Sequence, residues 1–301
     1  MRRAYLEMHL AVLLYGVTAI LGKVISLAAI PLVWWRVLLT SISLLFLVHV
    51  GRLFQQVPRR LVVRYALIGC LVALHWITFF LSIKLANASI ALVALATQSC
   101  FTAVLEPAIL RRPVRPYELV LGVLVVPAML LIVNEVPTGM HAGIWVGLAS
   151  ALLIALFTCF NKRLIGGATP LQITFIELSS AAIFITFLLP FLHVGAINGP
   201  LLPSGMDWLY LAILVLLCTT LGWLLVLRAL RHLSAFSSNL VANLEPVYGI
   251  VLAWLILGEH RELTGGFYAG AAVILAIVLI NPFLSRRDAN RRTAYEEVEI
   301  P

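Results

Sequence analysis

The sequence predicts an all-α, polytopic membrane protein: ten transmembrane helices in two inverted five-helix repeats. Three observations predict it. The 301 residues are 62% hydrophobic and 11% charged, with mean hydropathy +1.05, and a soluble domain needs far more polar surface than that. Ten apolar runs are long enough to cross a bilayer, which takes roughly 20 residues of helix. A stretch of 40 residues also occurs twice: Ala73–Arg112 aligns without a gap to Thr220–Glu259 at a shift of 220 − 73 = 147. Trp76 then falls on Trp223, Lys84 on Arg231, Gln98 on Glu245, Phe101 on Tyr248 and Leu110 on Leu257. Few positions are identical. The shared order (apolar run, basic turn, small residues, polar centre, apolar run) is what marks a duplicated unit.

In chain order the expected spans are His9–Leu27, Pro31–Val50, Leu61–Ile83, Ala88–Leu110, Tyr117–Val136, His141–Leu164, Pro170–Leu192, Met206–Leu230, Ser234–Leu257 and Thr264–Phe283. The N-terminal run resembles a signal peptide. It continues towards Lys23 and has a counterpart later in the chain, so it is read as the first span. Pro31 and Pro170 open helices, a Pro/Gly cluster spans Asn198–Gly205, and basic turns separate other runs. The runs are too long, and alternate too little, for barrel strands. Lys23 matches Lys162 and Pro31 matches Pro170 at a shift of 139, so the repeat extends over the first two spans of each half. The organisation is residues 1–138 as the first repeat, 139–284 as the second, and 285–301 as a disordered cytoplasmic tail.

Five spans per half is odd, so the second half must enter the bilayer from the opposite side. With both termini cytoplasmic, all 21 basic residues except Lys23, Lys84, Arg261 and Arg36 face the cytoplasm, as the positive-inside rule requires of a cell-membrane protein. Trp34, Trp35, Trp145, Trp208 and Trp254 fall near the outer interface, where an aromatic belt belongs. The net charge of +8 is therefore loop and tail arginine, and no soluble basic face exists for nucleic acid. Cys70, Cys100, Cys159 and Cys218 each lie in an apolar run without metal-ligand spacing, and are read as buried structural thiols. No cofactor is called for.

These features resemble the drug/metabolite transporter superfamily in its EamA-type branch. The resemblance covers nearly the whole chain and rests on FLSIKLANASIALVALATQSCFTAVLEP, on ALRHLSAFSSNLVANLEPVYGIVLAWLILGE and on the Lys23 and Lys162 helix ends. In the second segment Arg231, Ser234, Glu245, Pro246, Gly258 and Glu259 match the family's pattern. The first departs from it: the family often has proline where Ser99 stands, which puts a kink there in doubt. The resemblance implies a secondary transporter, commonly an exporter of small metabolites or amino acids. It also implies a central cavity lined mainly by spans 1, 3, 4, 6, 8 and 9.

Polar groups at membrane depth are costly and therefore informative. Counted inward from the span ends, His75, Trp76, Gln98, Trp223, Asn243 and Glu245 lie near the midplane, where inverted-repeat transporters bind substrate. Glu245 could bind a cationic group or exchange a proton; the alternative is a pair that only holds the bundle. Pro246 beside it removes a backbone hydrogen bond and could kink the helix as a hinge. His75 could relay protons or simply join helices. Trp76 and Trp223 could wall a pocket or pack as core. Tyr15, Phe79, Phe101 and Tyr248 are further lining candidates. Arg36, about five residues from the outer end, could snorkel outward. For Arg36 and Glu177 a structural pair with a carbonyl or headgroup is expected over a gate or anchor role, and Glu106 is expected to pair locally with Arg111 and Arg112.

The function expected is secondary-active transport of a small molecule across the lipid bilayer by alternating access, driven by the substrate gradient or by protons. No Walker A pattern is present. A channel-like carrier is the alternative. An intramembrane enzyme fits poorly: of the only aspartates, Asp288 lies beyond the last expected span and Asp207 at the very start of the eighth, and no His-Glu-x-x-His occurs. Oligomeric state is left open.

Overall fold

The structure, a computed structural model, describes residues 2–111, 113–191, 199–230, 232, 241, 244–261 and 263–298. These residues are helical, with turns and no strand among them. In chain order the helices are α1 (Arg2–Val24), α2 (Ala29–Leu45), α3 (Val50–Gln56), α4 (Arg59–Leu85), α5 (Ala88–Ala96), α6 (Gln98–Leu110) and α7 (Pro116–Glu135). Then come α8 (His141–Leu164), α9 (Pro170–Leu188), α10 (Asp207–Ala212), a π-helical segment Ile213–Leu221, α11 (Gly222–Leu230), α12 (Glu245–Leu252) and α13 (Gly265–Val298). Among the described residues, seven helical stretches are long and apolar enough to cross a membrane. The pair α2–α3 also qualifies but is bent by 91°, and Glu245–Leu257 and Gly265–Ile277 are shorter apolar helices.

Local sequence explains the ends. Pro116 and Pro170 open α7 and α9 at positions where a missing N–H costs nothing. Thr169 and Gln172 form a reciprocal capping box on α9, and the Asn87 side chain caps α5 by accepting from Ile90 N. The expected fourth span, Ala88–Leu110, is a single span in which one turn residue, Thr97, separates α5 from α6. The disordered tail expected from Ser285 is instead a continuation of α13 as far as Val298. That segment is rich in Ala, Arg and Glu, which favour helix.

The halves are antiparallel copies. Lys23 Nζ donates to Ala86 O at 3.3 Å and Lys84 Nζ to Ile25 O, so α1 and α4 finish at one end of the molecule. There α8 begins, with Ser82 Oγ donating to Gly143 O at 2.7 Å. It runs back along α4 until Tyr65 OH donates to Leu164 O at 2.7 Å. So α8 runs opposite to its repeat mate α1. The mates α2 and α9 also oppose: Trp34 near the start of α2 bonds Thr186 near the end of α9. The packing is exchanged in the same way. Helix α4 lies on α8 and α9, while its mate, the segment Asp207–Leu230, lies on α1 and α2. Helix α6 lies on α8 as α12 lies on α1, and α7 packs on its own mate α13. A pseudo-two-fold axis relating the halves gives this pattern.

Small residues set the helix spacing, as expected where lipid supplies no hydrophobic drive between helices. At Gly69 of α4 an added Cβ would sit 2.2 Å from both Glu177 O and Ser180 Oγ on α9. Backbone cannot yield as a side-chain tip does. Gly69→Ala is therefore expected to destabilise the protein by about 1–3 kcal/mol, read as a lowered melting temperature in detergent. A melting curve superimposable on the parent's would refute the contact.

Candidate functional site

One cavity of about 210 Å³ lies between the halves. Ten helical segments supply its walls. Helix α4 gives Val72, His75, Trp76 and Phe79; α2 gives Arg36, Thr40 and Leu44; α9 gives Thr174, Glu177 and Leu178. These spacings of three and four residues are single helix faces. Tyr15 and Thr18 come from α1, Ile154 and Phe157 from α8, and Cys218, Thr219, Thr220 and Trp223 from the π segment and α11. Leu95 of α5, Gln98 at the start of α6 and Glu245 at the start of α12 complete it.

The two repeat-related helices break at equivalent positions. Thr97 (φ −70°, ψ −8°) precedes Gln98, and Leu244 (φ −83°, ψ −7°) precedes Glu245. A break frees backbone groups that lipid cannot satisfy, so it is tolerated only where protein or a cavity meets them. Thr97 Oγ1 donates to Ala94 O at 2.6 Å and covers one such carbonyl. The turn at Thr97 thus coincides with a hydroxyl back-bond and needs no proline at Ser99. Pro246 lies in the first turn of α12, where its ring fits the helix start. The position at which the sequence suggests a hinge is therefore a helix start.

Of the sequence candidates, His75, Trp76, Gln98, Trp223, Glu245, Tyr15 and Phe79 line this cavity. Phe101 and Tyr248 are not among its lining residues. Tyr248 OH instead lies 2.8 Å from His9 Nδ1, joining α12 to α1. Asn243 lies outside the described residues. His75 Nδ1 sits 2.8 Å from Ser150 Oγ and 3.1 Å from Ser150 O, and Ser150 Oγ donates to His75 O. This clasp between α4 and α8 leaves Nε2 as the ring nitrogen available to the cavity.

Arg36 does not snorkel. It is buried, with its guanidinium carbon 3.8 Å from the centroid of the Trp76 ring. Its Nε donates to Thr219 Oγ1 at 3.2 Å. Thr219 can accept because its own proton goes to Leu214 O, a bond across the π segment; π segments recur at functional sites. Glu245 is within electrostatic reach of Arg36. Among the described residues, no carboxylate lies within 4.0 Å of the guanidinium. Glu177 is buried on α9, with its Oε1 unpaired among the described residues. Glu106 bonds Lys162 on α8, a partner from the other half.

Of the buried side-chain polar atoms without a partner among the described residues, Tyr15 OH, Thr40 Oγ1, Glu177 Oε1 and Trp223 Nε1 belong to cavity-lining residues. Such groups are rare in finished cores. The sequence reading missed Thr40, Thr174, Thr219, Arg36 and Glu177 as lining residues. The i, i+4 pair Arg36–Thr40 and the i, i+3 pair Thr174–Glu177 were the available signals.

The sequence pattern of the EamA-like transporter family matches residues 2–134 and again 141–281. The chain belongs to the EamA-like transporter family. Two matches end to end account for the duplication, and the antiparallel halves are its three-dimensional form. This EamA-like protein is accordingly a multi-pass membrane protein of a transporter family. One solved structure, titled only "Crystal structure of protein", shares the fold at TM-score 0.62 and 14% identity, over 94% of this chain and 98% of its own. No curated protein matches the chain. The cavity of this EamA-like chain is also lined by α2 and α9, beyond the spans that the family resemblance implied.

Proposed function

We propose that this EamA-like protein is a secondary-active transporter that exports a small organic metabolite by alternating access. In this reading it has ten spans, α2–α3 and the two shorter apolar helices completing the count, and sits in the cell membrane with both termini cytoplasmic. The observation that carries the reading is the cavity between antiparallel halves, apolar-walled with a few buried polar groups, where rocking of one half on the other would expose a fixed site to each side in turn. Trp76 and Trp223 hold the body of the substrate. Glu245, at a helix break and beside the cavity, is the coupling group, with His75 Nε2 as its partner in proton relay.

The full chain reconstituted in proteoliposomes tests this. A carrier gives saturable uptake and accelerated exchange when unlabelled substrate is loaded on the far side. Single-channel current, or flux that rises linearly without saturation, would replace the carrier by a channel. Turnover of a substrate into product would instead favour an enzyme, for which no metal-binding cluster is found among the described residues.

A further inference from the structure

Resting on the transporter reading, we propose that the cavity takes a small organic anion, a carboxylate on a flat apolar body, with the carboxylate held by the fork of Arg36. A buried charge is costly unless paired. Arg36 is 5% exposed, and its one hydrogen bond within the protein among the described residues is Nε to Thr219. Stacking on Trp76 orients the guanidinium plane but satisfies none of its terminal N–H groups. Those two nitrogens form a rigid fork that matches a carboxylate bidentately, where a lysine would offer only a point charge.

The surroundings point to the same ligand. Trp223 Nε1 is a donor only, and Tyr15 OH and Thr40 Oγ1 can each donate; all three are buried without a partner among the described residues and belong to lining residues. Thr40 stands one turn from Arg36 on α2. One fixed cation, one donor-only indole and two hydroxyls that can donate favour an acceptor-rich head. A cationic ligand could donate to the two hydroxyls but leaves Arg36 and Trp223 Nε1 unsatisfied, and a purely apolar one satisfies none of the four. Trp76, Phe79, Phe157 and Trp223 supply the walls against which a flat apolar body stacks. Glu177 Oε1 then remains as an acceptor for any donor the ligand carries elsewhere.

The test uses 3-phenylpropionate, 3-phenylpropylamine and 3-phenylpropanol, which share a body and differ in the head group. Titration calorimetry on the full chain in detergent is expected to show the acid binding about tenfold or more tighter than the alcohol. Arg36→Gln is expected to remove most of that difference, the acid losing far more affinity than the alcohol, and Arg36→Lys to retain part of it. If Arg36→Gln is not monodisperse, Trp223→Phe and Thr40→Val replace it, each expected to weaken the acid by about threefold and by more than the alcohol. An amine that binds tighter than the acid overturns the proposal. So does an acid that does not bind, or one indifferent to folded variants. Counterflow is measured separately: an acid bound but not moved keeps this inference and removes the transporter reading, while saturable counterflow of the amine alone does the reverse.

Discussion

Glu259→Ala is expected to cost about 3–5 kcal/mol and to lower the detergent melting temperature accordingly. Glu259 is 3% exposed. Its Oε1 accepts from Ala88 N at 2.8 Å, and its Oε2 from Ser89 N at 2.8 Å and Ser89 Oγ at 2.6 Å. Those backbone N–H groups are the orphan donors at the start of α5, where the helix dipole favours an anion. The side chain reaches them from the second half, so one carboxylate caps a half-helix of the other repeat. The preceding Gly258 turns the chain in the left-handed region at φ 68°, which stops the π segment Ala253–Leu257 and aims Glu259 back across the interface. Alanine leaves three buried donors without an acceptor. Glutamine keeps one acceptor oxygen, so Glu259→Gln should fall between parent and alanine. An alanine variant as stable as the parent would mean that the cap contributes nothing.

The duplication was legible because it depends on order along the chain. A constant shift pairs Gln98 with Glu245 whatever their side chains do, and the family pattern repeats on the same frame. Antiparallel halves followed from an odd number of spans. Depth along a helix was legible too, which is why seven midplane or aromatic candidates line the cavity. Direction around a helix was not. Arg36 lies seven residues into α2, near enough to the end to suggest an outward reach, but its face is set by packing on α9 and the π segment. Tyr248 failed for the same reason: its equivalence to Phe101 fixes a level, and the contact with His9 fixes a different side. The break at Thr97 carries no glycine or proline, so the single-sequence signals for a helix end were absent. Only its equivalence to the position before Glu245-Pro246 marked it.

Glu245→Gln is expected to leave the fold intact and to reduce transport by roughly tenfold to a hundredfold. The fold should tolerate the change because the mated position already carries glutamine: Gln98 opens α6 as Glu245 opens α12, after breaks of nearly equal dihedral angles. Shape and hydrogen-bonding reach are conserved, and only the ionisable proton and the charge are lost. Under the proposed function two assays separate those losses. If Glu245 relays protons, Glu245→Gln still exchanges labelled for unlabelled substrate but no longer responds to an imposed pH gradient. If Glu245 instead binds the substrate or steers Arg36, exchange falls together with gradient-driven flux, because the site itself is weakened. His75→Gln discriminates further: its clasp to Ser150 is structural, so loss of the pH response at preserved stability assigns Nε2 to the relay. Both variants transporting like the parent at every pH would remove Glu245 from the mechanism, and the carboxylate at the α12 break would then have to be explained by helix-terminus electrostatics alone.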